Sequence, residues 1–277
     1  MKTDFLLFLN KFFIKPKHPF NLQNENVKTY AEWQYEKGEK TIEFYLEKYS
    51  KDEMFKNKNV LDVGCGAGGK SLYYASLGAE KVTGIDILPK YGNECRSLAE
   101  KLGMQSRFEF VCADASALPF EDESFDTIIM NDAMEHVENP VKVLHECRRV
   151  LKPDGKIFIN FPPYMHPYGA HLSDAIGIPW VHLFFGEQTL IAAYKKLVKN
   201  LPDGEERINF RISRKPNDKE YFSYINKMSI NRFKKIIQNY NVVHYKEAVL
   251  RRCLAPLKSL PMFKEMFTKM VVCVIEK

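Results

Sequence analysis

Between residues 59 and 161 the chain alternates short β-branched runs with longer amphipathic stretches. Asn59-Val60-Leu61-Asp62-Val63 is a strand pattern ended by glycines, and residues 69–77 have helical spacing. Lys81-Val82-Thr83-Gly84-Ile85-Asp86 is a second strand pattern, followed by a helical stretch over 91–102. Residues 108–112 and 125–130 read as strands three and four, 140–151 as a helix, and 156–161 as strand five. Alternation at this spacing predicts a parallel sheet with helices on both faces. Right-handed crossovers then bring the C-terminal ends of the strands to one edge, where ligands bind.

The flanks have other patterns. Phe5, Phe8, Leu9, Phe12 and Phe13 would share one face of a helix, with Lys11, Lys15 and Lys17 beside it. Two readings stand for residues 5–14: a helix packed on the protein's own body, or an interfacial helix in peripheral membrane contact. Asp4 and the want of a small-residue cleavage site argue against a signal peptide. Pro16 and Pro19 end this segment, and residues 27–49, with Trp33, Tyr35, Phe44 and Tyr45, read as a covering helix. From 162 to 227 the alternation breaks into a stretch with Tyr164, Tyr168, Trp180, Phe184 and Phe185. Directly after a strand end, this predicts an insertion serving as a lid or substrate wall. Ser229 caps a helix over 229–240, and 242–249 and 270–276 read as final strands. The connection between them, with Pro256 and Pro261, reads as helix-rich. The organisation expected is an N-terminal helical cap (1–56), a core (57–163), a lid insertion (164–228) and a C-terminal completion of the core sheet (229–277).

Composition narrows the classes. A net charge of +6 on 277 residues is mild, and the basic residues are scattered, with only short clusters such as Arg251-Arg252. That argues against nucleic acid as a partner. Six cysteines, among them Cys253, form no CxxC pair or zinc pattern, which points to a reduced, cytoplasmic setting. No apolar run approaches the ~20 residues that span a bilayer. Oligomeric state is not legible.

The candidate chemistry begins where the first strand feeds Asp62-Val63-Gly64-Cys65-Gly66-Ala67-Gly68-Gly69. Glycines let the chain turn sharply and let backbone N–H groups approach a ligand, at a helix N-terminus of positive potential. Gly64, Gly66 and Gly69 satisfy the dinucleotide pattern GxGxxG. Asp62, Gly64, Gly66 and Gly68 satisfy the acid-x-Gly-x-Gly-x-Gly loop of S-adenosylmethionine-dependent methyltransferases. The loop alone does not separate a nicotinamide-dependent oxidoreductase from a methyltransferase. Its surroundings do more. Asp62 suits an ammonium group better than a pyrophosphate. Asp86 ends the next strand and suits ribose hydroxyls of either cofactor. Asp114, followed by Ala115, can accept from an adenine amino group.

Further on stand Leu118-Pro119-Phe120-Glu121-Asp122, then Asp132-Ala133-Met134-Glu135-His136 and Leu151-Lys152-Pro153-Asp154-Gly155. With these, residues 60–161 resemble a class I S-adenosylmethionine-dependent methyltransferase, similar to the small-molecule group that includes the ubiquinone-biosynthesis O-methyltransferases. The resemblance implies a Rossmann-like, doubly wound α/β fold with a mostly parallel seven-stranded sheet and an antiparallel last strand. It implies S-adenosylmethionine as cofactor and a small-molecule acceptor, with O-methylation favoured. By position, Asp62 and the Gly64 and Gly66 backbone would meet the methionine part. Asp86 would meet the ribose, Ile87 the adenine face, and Asp114 and Ala115 the adenine edge. The Asn131 backbone would lie near the sulfonium.

Methyl transfer to a hydroxyl needs alignment, desolvation and removal of one proton. His136 is the candidate base, since an ordinary imidazole pKa of about 6.5 suits the task; otherwise Glu135-His136 organises the helix start. Asp132, Glu135 and His136 stand at i, i+3 and i+4 and would share a face if this turn were helical. The ubiquinone-type enzymes have Glu-x-x-Glu-His here, and a divalent metal is a second use of the same residues. Asp132 shortens the first carboxylate, and His is not a usual ligand of a hard ion, so no metal is expected. In the insertion, Tyr164 and His166 stand nearest strand five as substrate contacts. Asn160-Phe161-Pro162-Pro163-Tyr164 imitates the signature of amino-directed adenine methyltransferases, but a residue intervenes and the strand is wrong. Two alternatives remain at this stage: the oxidoreductase, which leaves Asp114-Ala115 unexplained, and a non-catalytic S-adenosylmethionine-binding module.

Overall fold

A computed structural model of the chain describes residues 1–24, 28–250 and 261–277. Arg251, Arg252, Cys253 and Pro256 lie outside the described residues, as does half of the connection expected to be helix-rich. The elements in chain order are α1 (Lys2–Asn10), α2 (Pro19–Asn24), α3 (Tyr30–Ile42), α4 (Lys51–Phe55), β1 (Asn59–Val63), α5 (Gly69–Ser76), β2 (Lys81–Asp86) and α6 (Tyr91–Lys101). They continue with β3 (Phe108–Cys112), β4 (Phe125–Asn131), α7 (Pro140–Val150), β5 (Leu151–Phe161), α8 (Val181–Phe184), α9 (Glu187–Val198) and α10 (Gly204–Arg211). The last are β6 (Ile212–Arg214), β7 (Glu220–Phe222), α11 (Ile230–Ile237), β8 (Asn241–Val249), α12 (Pro261–Lys264) and β9 (Thr268–Glu276).

Seven strands form one sheet in the order β3-β2-β1-β4-β5-β9-β8, and β6 and β7 form a separate hairpin. The pairs β1–β2, β2–β3, β1–β4 and β4–β5 are parallel, whereas β9 runs antiparallel to β5. This is the α/β sheet expected, antiparallel last strand included. The order reverses direction at β1, the switch point where a ligand crevice opens. Val60, Leu61 and Val63 of β1 are buried, as a strand covered on both faces requires.

Local chemistry sets the helix starts. Thr29 and Glu32 form a reciprocal capping box at α3, and Ser50 and Glu53 form another at α4. Asn139 caps α7, accepting from the Lys142 N–H, with Pro140 in the first turn. Several boundaries differ from the sequence pattern, among them strand five, which begins at Leu151 and not at Lys156. α1 stops at Asn10, so Phe12 and Phe13 are not on its face but in the turn that follows. The covering helix α3 stops at Ile42, and 43–48 are turns. α11 ends three residues earlier than its apolar spacing suggests, at Ile237.

The chain divides into two units. One comprises Lys28–Phe161, Asn231–Ala248 and Met270–Lys277 and contains the large sheet. Ile42, Tyr45, Phe55, Val60, Leu72, Tyr74, Ile129 and Phe158 are among its buried core. The Phe55 and Tyr74 rings stack at 5.0 Å, and Tyr45 meets Phe158 edge-on at 5.2 Å. Each such buried side chain contributes roughly 1.5–3 kcal/mol.

The other unit comprises Met1–Val27, Pro162–Ile230 and Val249–Lys269. Its apolar interior gathers Leu6, Ile176, Ile191, Tyr194, Val198 and Ile212. Within it Asp174 is wholly buried between Arg207, at 3.1 Å, and Arg211, at 3.2 Å, and accepts from the Tyr194 hydroxyl at 2.8 Å. The Arg211 guanidinium lies over Phe20, Tyr194 and Tyr224. A buried carboxylate between two arginines is a network whose members depend on one another. No helix among the described residues is long and apolar enough to cross a membrane.

Candidate active site

The residues singled out in the glycine loop and at the ends of β1 to β4 all lie in the sheet-bearing unit, at one edge of the parallel strands. Gly64, Gly66 and Gly68 have φ of 74°, 56° and 72°, a left-handed backbone that side-chain-bearing residues rarely adopt. A Cβ on Gly66 would come within 2.9 Å of Gln34 Nε2 and 3.4 Å of Tyr30 Cε1. The loop is therefore closely walled, and its backbone is held from within: the Gly64 and Cys65 N–H groups both donate to the Ile85 carbonyl at 2.9 Å.

Asp62 is buried, and the Ser71 hydroxyl donates to its Oδ2 at 2.6 Å. Burial pushes its pKa up to about 6, against the opposing pull of Ser71 and Lys70. A cationic ligand group beside this carboxylate would draw the proton off. Asp86 ends β2 and holds the loop directly: Oδ2 accepts from the Gly66 N–H at 2.9 Å and Oδ1 from the Leu88 N–H at 3.0 Å. Burial raises its pKa, and the N–H groups of Leu88 and Gly66 work against that. Ile87, beside it, is 67% exposed, unusual for an isoleucine at a strand end. Asp114 is exposed and accepts from the Ser116 N–H and hydroxyl at 2.8 and 2.9 Å; half-buried Ala115 lies between them.

Asn131, ending β4, is buried. Its Oδ1 accepts from the Tyr45 hydroxyl at 2.7 Å, and its Nδ2 donates to the Tyr74 hydroxyl at 3.1 Å. That side chain is tied into the core and leaves only the backbone to face outward. The turn after it is not helical. Asp132 has φ of 53°, and only a short turn follows, with the His136 N–H donating to the Ala133 carbonyl at 2.9 Å. Asp132, Glu135 and His136 therefore do not share a helix face. Asp132 already meets a cation, the Lys70 ammonium at 2.8 Å. Burial opposes the Lys70 charge, but Asp132, Tyr74 and Tyr30 outweigh it and the ammonium stays charged. Glu135 is buried, and burial followed by the charge of Asp132 pushes its pKa well above the carboxylate range. His136 is exposed, its Nε2 3.9 Å from Glu135 Oε1.

Several side chains of this edge escaped the sequence reading. Gln34 bridges the loop, its Nε2 donating to the Cys65 carbonyl and its Oε1 accepting from the Gly69 N–H, both at 3.2 Å. Tyr30 packs beside Gly66, and burial lifts its pKa to about 12. The legible signal was the Thr29/Glu32 capping box, which starts α3 so that Tyr30 and Gln34 fall one turn apart. The Leu118-Pro119-Phe120 run proves structural. Arg149 donates to the Phe120 carbonyl at 2.8 Å and the Leu118 carbonyl at 3.1 Å, and pairs with Asp122 and Glu146. Tyr164 and His166 belong to the other unit. There His182 Nε2 is 2.8 Å from the Tyr164 carbonyl oxygen, and His166 Nδ1 accepts from the Tyr168 N–H at 3.2 Å.

Residues 61–159 match the family described as Methyltransferase domain. Over 140 residues, 47% of its length, the chain is 34% identical to the sterol 4-C-methyltransferase of Caenorhabditis elegans, covering 42% of that protein. Over 116 residues, 40% of its length, it is 34% identical to the ubiquinone biosynthesis O-methyltransferase of Coxiella burnetii, covering 48% of it. The chain thus spans about half the length of these relatives. The crystal structure of the PH0226 protein of Pyrococcus horikoshii shares the fold, with a TM-score of 0.52 at 24% identity over 87% of this chain and 90% of that one. The nicotinamide alternative gives way to S-adenosylmethionine as the cofactor. The core of this chain is a class I S-adenosylmethionine-dependent methyltransferase domain.

Proposed function

We propose that the whole chain is a methyltransferase that moves a methyl group from S-adenosylmethionine to an oxygen of a small, lipid-linked or sugar-linked acceptor in the cytoplasm. The observation that carries this reading is the series of acids along one sheet edge. Asp62 on β1, Asp86 ending β2 and Asp114 just past β3 flank a glycine loop too closely walled for side chains. In this reading the donor set runs along the cofactor from end to end. Asp62 and the Gly64 and Gly66 backbone take the methionine ammonium and carboxylate. Asp86 accepts from the ribose hydroxyls, the exposed Ile87 lies along the adenine, and Asp114 and the Ala115 backbone take the adenine edge. The Asn131 backbone borders the sulfur.

S-adenosylmethionine supplies a methyl group already activated on a sulfonium. What the protein adds is placement, exclusion of water and acceptance of a proton. His136 is the base in this reading: an imidazole nitrogen takes the acceptor's hydroxyl proton. Tyr164 and His166 contact the acceptor. The names of two relatives, one acting on a sterol and one in ubiquinone biosynthesis, support a lipid-like acceptor. They also differ in the atom methylated, so the preference for oxygen rests on His136.

The test is thermal stability with S-adenosylhomocysteine, with NAD⁺ and with neither. A ligand at about 100 times its Kd adds roughly 2.7 kcal/mol, a rise of a few degrees. A rise with S-adenosylhomocysteine alone is expected, and Asp86→Ala should weaken that binding about 10- to 100-fold by removing charge-assisted bonds. No rise with S-adenosylhomocysteine would sink the proposal.

A further inference from the structure

The segment Phe5 to Ile14 stands outside the reaction just proposed, and the structure presents it in a particular way. α1 is pinned along one side. Leu6 is wholly buried, Asn10 Nδ2 donates to the Ala175 carbonyl at 3.0 Å, and Asn10 Oδ1 accepts from the Gly177 N–H at 2.8 Å. Asp4 adds an ion pair with Lys196 at 3.1 Å. The helix cannot roll to bury its other side. That side, and the turn after it, exposes Phe5 at 56%, Phe8 at 55%, Phe12 at 71% and Ile14 at 93%. The Phe8 and Phe12 rings meet edge to face at 5.2 Å. The Phe5 ring reaches Phe185, whose neighbour Phe184 is 74% exposed. A contiguous set of exposed aromatics differs from the scattered apolar residues of an ordinary surface.

The charges name the occupant. Residues 1–20 hold four lysines, Lys2, Lys11, Lys15 and Lys17, against the single acid Asp4, which Lys196 already engages. All four lysines are exposed, and none has an ion pair among the described residues. A second copy of the chain set against this patch would bring like charges together. Exposed aromatic rings in a segment that also exposes four lysines suit the headgroup region of an anionic bilayer, with the rings at the acyl boundary and the ammonium groups at the lipid phosphates.

We propose that residues 5–14, with Phe184, form a docking surface for an anionic phospholipid membrane. The proposal goes beyond the methyl-transfer reading and does not depend on it. It is tested by sedimenting the full chain with vesicles of phosphatidylcholine alone and with vesicles that also contain phosphatidylglycerol. The protein should pellet with the anionic vesicles only, and less so as salt is raised. Phe8→Ser combined with Phe12→Ser should lower vesicle binding about tenfold or more, while thermal stability and S-adenosylhomocysteine binding stay unchanged. Lys11→Glu with Lys15→Glu, a second and independent variant, should abolish the preference for anionic lipid. The proposal is overturned if the wild type ignores both vesicles, binds both alike, or binds as well after the phenylalanines are removed. A concentration-dependent dimer that the Phe8→Ser/Phe12→Ser variant abolishes, without vesicle binding, would assign the surface to a second copy instead. Vesicle binding is read without cofactor, so a failed S-adenosylhomocysteine shift and a failed vesicle assay are separate results.

Discussion

Asp62 and His136 carry different parts of the proposed chemistry, and each makes its own prediction. Burial sets the Asp62 pKa at about 6, whereas a bound ammonium group needs the carboxylate ionised. Protons and cofactor therefore compete at this residue. Affinity for S-adenosylhomocysteine should be full above pH 6 and fall by up to about tenfold per pH unit below it. Calorimetric titrations across that range check this, and an affinity that stays flat would remove Asp62 from the ammonium site. His136 is exposed in the turn after β4, outside the series of acids assigned to the cofactor. His136→Ala should leave S-adenosylhomocysteine affinity near normal and cut turnover by about 10²-fold or more. Unchanged single-turnover rates would reject the base. The places of the acids and glycines at strand ends were legible because they announce themselves by spacing. The Asp132 turn was not: a left-handed φ at an aspartate depends on the chain around it, and it breaks the helical spacing that would have aligned three metal ligands.

At the scale of elements, the cradle depends on how α3 crosses the start of α5. Gly69 opens α5, and a Cβ there would overlap the Ala31 carbonyl oxygen and come within 2.7 Å of Tyr35 N. Gly69→Ala must push α3 away, carrying Tyr30 and Gln34 off the glycine loop. We expect about 1–3 kcal/mol of lost stability, as overpacked sites show, together with loss of S-adenosylhomocysteine binding. A variant that melts and binds like the wild type would mean α3 does not wall the site. The dinucleotide pattern had assigned this glycine to the loop itself, but its φ is ordinary and its need is for space. Local pattern cannot tell those two needs apart. Nor could it find α1's end: apolar spacing runs on through Phe13, yet the helix stops where Asn10 turns its side chain to Ala175 and Gly177.

For the whole molecule, stability should depend on pH through buried histidines of the smaller unit. Burial holds His18 and His166 near a pKa of about 4. In the unfolded chain each titrates near 6.5, so between those values the unfolded state binds more protons. Their contribution is complete above pH 6.5 and is lost as pH falls toward 4. Asp62 acts in the opposite sense, its raised pKa favouring the fold as pH drops from about 6. Urea midpoints should fall between pH 7 and 5, and His18→Asn with His166→Asn should flatten the decline; an identical slope in that variant would contradict the assignment. The amino-acid order alone determined the strand and helix alternation, the sheet class, the glycine loop and its acids. Those follow from side-chain periodicity and backbone sterics, which act between neighbours in the chain. Only the tertiary structure decided that Gln34 and Tyr30 wall the loop, that Lys70 meets Asp132, and that Asp174 joins Arg207 and Arg211 across more than thirty positions. Such pairings are chosen by burial, which brings distant polar groups together because each would be costly to leave alone.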